Sequence, residues 1–420
     1  MKPKLLTTLR TYTPQIFVAD ALAGLTVAMI ALPLSIAIAI ASGASPEKGL
    51  ITAIVAGFLI SLLGGSRVQI GGPTGAFIVV VYGVIAQHGY DGLVLATLMA
   101  GAILLVAGFL RAGNLIAFVP EAVVNGFTIG IAIIIGASQL KDFLGLRIAA
   151  LPADFLPKMD ALWAGRGSVN WTAAGIGATA IVLILALRRL APRLPGLIVA
   201  MGVISAAVAF GHLPVDTIAS RFGELPTHLP MPAFPPITLQ RLTDLLPSAL
   251  VIAFLAAVES LLSAMVADRM IEGRHRPNAE VLAQGWANIG SALFGGMPAT
   301  GAIARTATNI RAGGQTPVAG IIHALTIMGI MMAAAPLAGY LVMPALAALL
   351  LVTAWNMSEP HKWRGYWAQP VEDRALLLLT LVLTVIADLT VAIGVGVAAG
   401  LALRMRDSKL KAQDWHTPER

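Results

Sequence analysis

The sequence lacks cysteine and carries few charged residues. None of its 420 residues is cysteine, which excludes disulfides, thiolate metal sites and cysteine nucleophiles. Only 12% of the residues are charged, whereas a soluble domain uses roughly a quarter to cover its surface. Hydrophobic residues make up 57% of the chain, so the outer surface must face lipid. The composition therefore predicts a protein embedded in a bilayer.

Other absences narrow the function. The sequence has no nucleotide-binding P-loop, so the chain does not power itself by hydrolysing ATP. No histidine, aspartate or glutamate residues have metal-ligand spacing, and we expect no cofactor. A membrane enzyme would need paired carboxylates or a nucleophile with its base in the spans, and neither is found. The net charge of +7 could suggest a nucleic-acid partner, but the basic residues occur singly or in small groups between apolar runs, as in membrane loops.

Apolar stretches occur seven times in each half of the chain. Stretches of about 17–25 apolar residues are typical of helices that span a bilayer. In the first half they cover residues 20–42, 47–64, 74–88, 92–110, 120–140, 170–187 and 196–212. In the second half they cover residues 245–268, 279–296, 299–310, 316–335, 336–354, 372–388 and 389–404. Residues 74–88 and 299–310 are too short to cross a hydrocarbon core of about 30 Å alone.

The positions of lysine and arginine indicate the orientation. An even number of spans puts both termini on one side, and 20 of the 28 basic residues lie on that side. Seven lie on the other side, and Arg305 falls inside a span. An excess of lysine and arginine marks the cytoplasmic face of a membrane protein. We therefore expect a multi-pass protein of the inner (plasma) membrane with both termini in the cytoplasm.

The two halves are separated by a proline-rich segment. Residues 213–244 contain Pro214, Pro226, Pro230, Pro232, Pro235 and Pro236. We expect a linker there rather than a domain. The linker separates a first repeat at residues 20–212 from a second at residues 245–404. Residues 1–19 are predicted to form a cytoplasmic tail with an interfacial helix. Residues 405–420 are predicted to form a short cytoplasmic tail.

The halves share a local sequence. Residues 57–65 (GFLISLLGG) precede GPTGAF at 72–77, and residues 288–296 (NIGSALFGG) precede PATGA at 298–302. Each copy joins an apolar helix, a di-glycine and a segment of proline, threonine and glycine that opens the third span of its half. The alternative is a chance match, because glycine, alanine and leucine dominate the composition.

The repeat has a mechanical consequence. Seven is an odd number, so the second half inserts upside down relative to the first, as in many transporters with interrupted spans. Pro73 and Pro298 suit the first turn of a helix, where no amide donor is needed. Two short helices entering from opposite sides would bring their N-termini together near the middle of the membrane. Free N–H groups and positive dipole ends would then form an anion site.

Two charged residues lie well inside predicted spans, where ionisable groups are costly and usually functional. Glu259 has Ser263 one turn further along its helix, and we interpret it as a carboxylate that couples transport to protons or sodium. Arg305 follows the second short helix start, where it can attract the anion directly or through its field. The alternative is a structural ion pair between the two residues. His323 also lies in a span, where a satisfied polar contact is the favoured interpretation over a proton relay.

Three motifs resemble the SulP family of sulfate permeases, also called solute carrier family 26. The first is GLTVA at residues 24–28, followed by Leu32-Pro33 and Ser45-Pro46. The second is GGSRVQIGGPT at 64–74, and the third is GMPATGAIART at 296–306. The resemblance covers nearly the whole chain and is specific only when the three motifs are taken together.

The resemblance implies an all-α polytopic fold of 14 transmembrane segments, arranged as a seven-plus-seven inverted repeat like that of nucleobase permeases. Spans 1–4 and 8–11 would form a core domain, and spans 5–7 and 12–14 a gate domain. It implies a homodimer and a small inorganic or carboxylate anion as substrate, with H⁺ or Na⁺ as coupling ion. The implied substrate-binding residues are Leu34, Ile38, Thr74, Gly75, Ala76, Phe77, Gly301, Ala302, Ile303 and Arg305, and the implied ion-coupling residues are Glu259 and Ser263.

Two departures from the family pattern stand out. Most members carry a cytoplasmic STAS domain after the last span, and we expect none in this sequence, which ends soon after residue 404. The position of Leu34 is often polar in relatives, so backbone dipoles should dominate selectivity. The leading hypothesis is a proton-coupled anion symporter working by alternating access. The alternatives are an uncoupled anion channel and a nucleobase:proton symporter, although Leu34 and Ile38 offer no polar group to read a heterocycle.

Overall fold

The structure of the chain, a computed structural model, describes residues 2–114, 120–149, 151–191, 195–387 and 389–406. Helices dominate it. In the first half they are α1 (Leu5–Thr8), α2 (Pro14–Ala41), α3 (Pro46–Leu63), α4 (Ile78–Phe109), α5 (Glu121–Phe143), α6 (Phe155–Ala164), α7 (Trp171–Leu190), α8 (Gly196–Gly211) and α9 (Ile218–Phe222). In the second half they are α10 (Leu239–Ile271), α11 (Pro277–Leu293), α12 (Ile303–Arg311), α13 (Val318–Ala338), α14 (Met343–Met357), α15 (Trp363–Ala368), α16 (Val371–Ile386) and α17 (Leu389–Arg406).

The helices agree with a polytopic membrane protein. In the described part of the chain, seven helices are long and apolar enough to cross a bilayer. Each of the fourteen predicted stretches overlaps a helix, and α4 accounts for two of them. It is interrupted at Gly89, whose φ of 69° and ψ of 179° are not helical. Glycine adopts this conformation without the steric cost that a Cβ would add.

The first long helix begins earlier than predicted. Residues 1–19 were expected to be a tail with an interfacial helix, but α2 already starts at Pro14. The Thr13 side chain accepts a hydrogen bond from the backbone N–H of Ile16, and proline follows at the first helical position. Both features favour a helix start. Of the predicted interfacial helix, the structure forms α1 and a 3₁₀ turn at Leu9–Thr11.

The linker is also shorter than predicted. Residues 213–244 were expected to be a linker rather than a domain, but α10 already starts at Leu239, where the Thr238 side chain caps the N–H of Arg241. The segment also contains α9, which is stabilised by a capping box between Thr217 and Ser220. Polar capping residues extended the helical structure beyond the apolar stretches.

Two short strands occur in a chain that was predicted to be all-α. The strands β1 (Gly71–Gly72) and β2 (Thr300–Gly301) pair antiparallel, with Gly71 opposite Gly301 and Gly72 opposite Thr300. The ladder continues with a 2.9 Å hydrogen bond from the N–H of Ala302 to the carbonyl of Ile70. These strands come from the two copies of the shared sequence, so the pairing joins the two halves of the chain.

The glycines of this strand pair are required by their surroundings. A side chain at Gly71 would collide with Ile60, and one at Gly301 would collide with Gln69. Gly72 has a φ of 150°, which residues with a Cβ rarely adopt. The backbone can therefore approach its neighbours closely only because these positions have no side chain.

The helices pack in two groups. The first group surrounds the strand pair and contains α2, α3, α4, α10, α11, α12 and α13. The second group contains α5, α7, α8, α14, α16 and α17. The groups meet where α2 contacts α5, α8 and α14, where α4 contacts α5, and where α10 contacts α17.

Asp20 fixes the loop between α12 and α13 to α2. It is fully buried and accepts hydrogen bonds from the N–H of Gln315 (2.7 Å), the N–H of Thr316 (3.1 Å) and the Thr316 hydroxyl (2.5 Å). The Tyr12 hydroxyl donates a further bond at 3.2 Å. Burial and the Asp20 carboxylate together raise the pKa of Tyr12 to about 12.

We expect Asp20→Ala to destabilise the protein strongly. The change leaves the N–H groups of Gln315 and Thr316 without an acceptor, at a cost of about 1–3 kcal/mol for each buried donor. Thermal unfolding of the purified protein should show a Tm lowered by several degrees. The control is Tyr12→Phe, which removes only the outer bond and should lower the Tm much less. A Tm for Asp20→Ala equal to that of the wild type would contradict this role.

Candidate functional site

The strand pair directs two helix N-termini to one place. Strand β1 continues into a 3₁₀ turn at Gly75–Phe77 and then into α4, and β2 continues into α12. Because the strands are antiparallel, the two helices leave the pair in opposite directions and both start beside it. The residues before them, Thr74 and Ala302, are extended, and no side chain in the described part of the chain caps either start. The first N–H groups are therefore free of side-chain partners, as an anion site requires.

The predicted residues of the first half lie around the start of α4. Ala76 and Phe77 are buried, each 2% exposed. A side chain at Gly75 would meet the Met357 sulfur at 2.9 Å and the Ile135 Cδ1 at 3.6 Å. Those two residues belong to α14 and α5, so the start of α4 lies against the second helix group.

The predicted residues of α2 are apolar, as the sequence indicated. Leu34 is partly exposed and packs against the main hydrophobic cluster, and Ile38 belongs to that cluster. In the second half, Gly301 and Ala302 are buried while Ile303 is exposed at the start of α12. The described residues thus include both exposed and buried positions along the predicted site.

Glu259 and Ser263, one turn apart on α10, contact the starts of the two short helices. Glu259 is partly exposed on α10 and accepts a 2.9 Å hydrogen bond from the Thr74 hydroxyl. Ser263 is fully buried, and its hydroxyl lies 3.2 Å from that of Thr306 in α12. The Thr306 hydroxyl in turn accepts from the N–H of Ile70, which precedes β1. One face of α10 therefore touches the start of both short helices.

Arg305 points toward α2 and β1 instead of toward Glu259. Its side chain is buried, with Nη2 donating to the Ser35 hydroxyl at 3.0 Å. The Nη1 atom has no protein partner among the described residues and lies so close to Gly72 that a Cβ there would collide with it. No carboxylate of the described residues lies within 4.0 Å of Arg305, so the ion pair with Glu259 is not formed. A buried guanidinium with a free donor leaves an uncompensated positive field beside the strand pair.

His323 does not have the satisfied polar contact that was expected. It is fully buried in α13, and neither ring nitrogen has a hydrogen-bond partner among the described residues. Its ring faces the first group of helices, near the position that a side chain at Gly57 would occupy. Sequence reasoning was wrong here because periodicity places a residue within a span but does not show which atoms of other helices face it.

Sequence reasoning also missed a fully buried carboxylate, Glu280 on α11. It accepts hydrogen bonds from the Ser260 hydroxyl and from the side-chain amides of Gln69 and Gln284. The signal was present, because glutamate and glutamine four residues apart share one face of a predicted span. A glutamate in the first turn of a span resembles an interfacial charge, which is why it was passed over.

The chain is similar in sequence to known proteins over most of its length. Residues 17–380 match the sequence profile of the Sulfate permease family. The putative sulfate transporter YvdB of Bacillus subtilis is 43% identical over 394 residues, which cover 93% of this chain and 73% of that protein. The bicarbonate transporter BicA of a Picosynechococcus species is 31% identical over 89% of this chain and 67% of its own length.

Solved structures share the fold. The transmembrane domain of a cyanobacterial bicarbonate transporter BicA matches with a TM-score of 0.81 and 27% identity, over 93% of this chain and 98% of that one. Murine Solute Carrier 26 family member A9, an anion transporter in the inward-facing state, matches with a TM-score of 0.87 over 97% of this chain and 71% of that one. At 18% identity, the second match supports the fold alone.

We expect Arg305→Met to weaken anion binding by about tenfold to a hundredfold, because about 1.4 kcal/mol of lost attraction corresponds to each factor of ten. Calorimetric titration of sulfate and bicarbonate into the purified protein measures this. The matched control is Ser35→Ala, which removes the neighbouring hydroxyl but keeps the charge, and it should bind within about threefold of the wild type. Equal affinities for Arg305→Met and the wild type would exclude a role of the charge.

Proposed function

The chain belongs to the sulfate permease family, and from this premise we propose that it is a secondary active transporter of small anions. Family members and relatives are transporters and not enzymes. The relatives carry names that refer to sulfate and bicarbonate, and our proposal for this chain extends to sulfate, bicarbonate, chloride or a dicarboxylate. The observation that carries the proposal is the meeting of two uncapped helix N-termini at a strand pair beside a buried arginine.

The site favours anions by charge and size. The N–H groups at the start of α4 and α12 present positive partial charge, and Arg305 adds a full positive charge nearby. Leu34, Ile38 and Phe77 offer no hydrogen-bonding side chain, so they supply shape and exclude water. Such a site distinguishes a small anion from a neutral heterocycle, which supports anion transport over nucleobase transport.

We further propose that Glu259, with Ser263, couples anion transport to a cation. The Glu259 carboxylate, when ionised, accepts from Thr74 and repels an anion that approaches the same helix start. Binding of H⁺ or Na⁺ at Glu259 removes that repulsion, so anion and cation each favour the binding of the other. This reciprocity is the physical basis of symport, and a proton is the simplest ligand for a carboxylate with one hydrogen-bond donor.

The architecture that we propose has 14 transmembrane segments in two inverted units of seven, at residues 20–212 and 245–404. The antiparallel strand pair supports inversion, because each strand follows the second long helix of its unit. The two packing groups support a division into a core domain around the site and a gate domain. Alternating access then consists of movement of the core against the gate, with the site at their boundary near Gly75.

For the orientation, we propose a plasma-membrane protein with both termini in the cytoplasm. The support is the excess of lysine and arginine in the loops that this topology puts inside. A homodimer remains a prediction from the family.

Flux measurements test coupling. We expect reconstituted wild-type protein to take up labelled anion with saturation and to respond to an imposed pH or sodium gradient. Glu259→Gln should abolish the response to the gradient, because the amide cannot bind a proton or replace the carboxylate charge. Glu259→Asp keeps the charge and is the matched control. Ohmic anion current without saturation would instead identify a channel.

A contact between α4 and the segment leading into α6, which packs against α5 and α16 of the second group, offers a test of alternating access. The Tyr82 hydroxyl in α4 donates to the carbonyl of Leu151 at 2.5 Å, just before α6. The Lys158 ammonium of α6 lies 5.5 Å from the centroid of the Tyr82 ring. Burial lowers the pKa of Lys158, which the nearby Asp154 partly opposes. Core movement must separate Tyr82 from these partners.

We expect a covalent link across this contact to stop transport. Because the chain has no cysteine, Tyr82→Cys with Lys158→Cys introduces the only two thiols, which a bifunctional methanethiosulfonate can bridge. Uptake should cease on cross-linking and return after dithiothreitol. The control pair, Leu59→Cys with Gly290→Cys, lies within the proposed core and should transport when bridged. Uptake that persists across a complete Tyr82–Lys158 bridge would contradict movement at this boundary.

A further inference from the structure

We propose that Glu280 is a positioning residue of the transport site, acting through Gln69 and Ser260 on strand β2 and on the Glu259 face of α10. The inference rests on the proposed function and adds a residue that touches neither anion nor coupling ion. It starts from the hydrogen bonds of the Glu280 carboxylate.

Glu280 accepts five hydrogen bonds in a fully buried position. Its Oε2 accepts from the backbone N–H groups of Gly65 and Ser66 at 2.8 and 3.2 Å. Its Oε1 accepts from the Ser260 hydroxyl at 2.9 Å and from the amides of Gln69 and Gln284 at 3.0 Å each. One carboxylate thus joins the turn after α3, the segment before β1, and helices α10 and α11.

The charge of Glu280 is stabilised without a cation. No basic side chain of the described residues lies within 4.0 Å of the carboxylate. Five hydrogen-bond donors surround it instead, and it lies in the first turn of α11. Because the carboxylate only accepts, it dictates the direction of every hydrogen bond around it.

That direction sets the orientation of Ser260. Its hydroxyl donates to Glu280 and accepts from the amide nitrogens of Gln69 and Gln284, each at 2.7 Å. The amide oxygens of both glutamines have no protein partner among the described residues. Both amides are therefore held with their nitrogens toward the carboxylate, at the expense of their oxygens.

The Gln69 and Ser260 groups that Glu280 orients pack against strand β2. A side chain at Gly301 would collide with the Gln69 amide nitrogen and lie 3.1 Å from the Ser260 hydroxyl. Strand β2 packs against these two groups, and its last residue, Gly301, lies two residues before the start of α12 with its N–H groups. Ser260 also follows Glu259 directly, so fixing Ser260 fixes the turn of α10 that carries the coupling carboxylate.

The two glutamines form a matched pair for a test. Both donate to the same oxygen of Glu280 and to the same hydroxyl at the same distances, and both are buried. Of the two, Gln69 is the one whose amide is nearest to the position of a side chain at Gly301. Gln69→Met and Gln284→Met therefore remove equivalent hydrogen bonds, but only the first alters the surface behind β2.

The experiment compares transport, stability and local protection of the full chain. We expect both methionine variants to lower the Tm by similar amounts. Gln69→Met should raise the KM for anion uptake by about tenfold, whereas Gln284→Met should stay within about twofold, because a merely stabilising bond does not change the site geometry. Glu280→Gln should raise the KM as Gln69→Met does, because its amide nitrogen would face other donors.

A second readout does not depend on transport. Hydrogen–deuterium exchange of peptides covering residues 298–306 should be faster in Gln69→Met and Glu280→Gln than in Gln284→Met. Equal KM values and equal exchange for the two methionine variants would overturn the proposal and show that Glu280 only stabilises the fold. If no variant, nor the wild type, shows saturable anion uptake, the proposed function fails, while the exchange comparison still decides the role of Glu280.

Discussion

Extended backbone in the interior of a membrane protein must find hydrogen-bond partners, because no lipid atom can supply them. The chain meets this requirement by pairing Gly71–Gly72 with Thr300–Gly301. Each strand supplies hydrogen-bond partners for the backbone of the other. Each half of the chain therefore depends on the other half to place its short helix. The helix starts, the position of Arg305 and the contacts of Glu259 all follow from that pairing.

The buried charges around the pair are stabilised in different ways. Asp20 and Glu280 are surrounded by hydrogen-bond donors, and each holds segments that are far apart in the sequence. Among the described residues, Arg305 has one acceptor, Ser35, and keeps a donor without a partner. A buried charge whose hydrogen bonds are all made to protein groups fixes the structure, whereas a buried charge with an unpaired donor can still bind a ligand. This contrast separates the supporting residues from those of the site.

Much of the fold and part of the site could be predicted from the sequence. The apolar stretches located the helices, and the shared sequence with Pro73 and Pro298 indicated where the halves meet. Periodicity reports only local structure, however, so it could not reveal the antiparallel register of two-residue strands. Nor could it show that Arg305 faces Ser35, or that Glu280 collects donors from positions more than 200 residues away. Helix starts at Pro14 and Leu239 were missed because polar caps, not apolar residues, determine them.

An antiparallel pair of strands has an approximate two-fold axis, and in the proposed inverted arrangement exchanging its strands exchanges the two faces of the membrane. For a transporter built around such a pair, a ligand arriving from either face meets an equivalent helix start. The protein itself then has little preference for import over export. Under the proposed transport, net movement follows the electrochemical gradient of the anion, and its direction reverses when that gradient reverses.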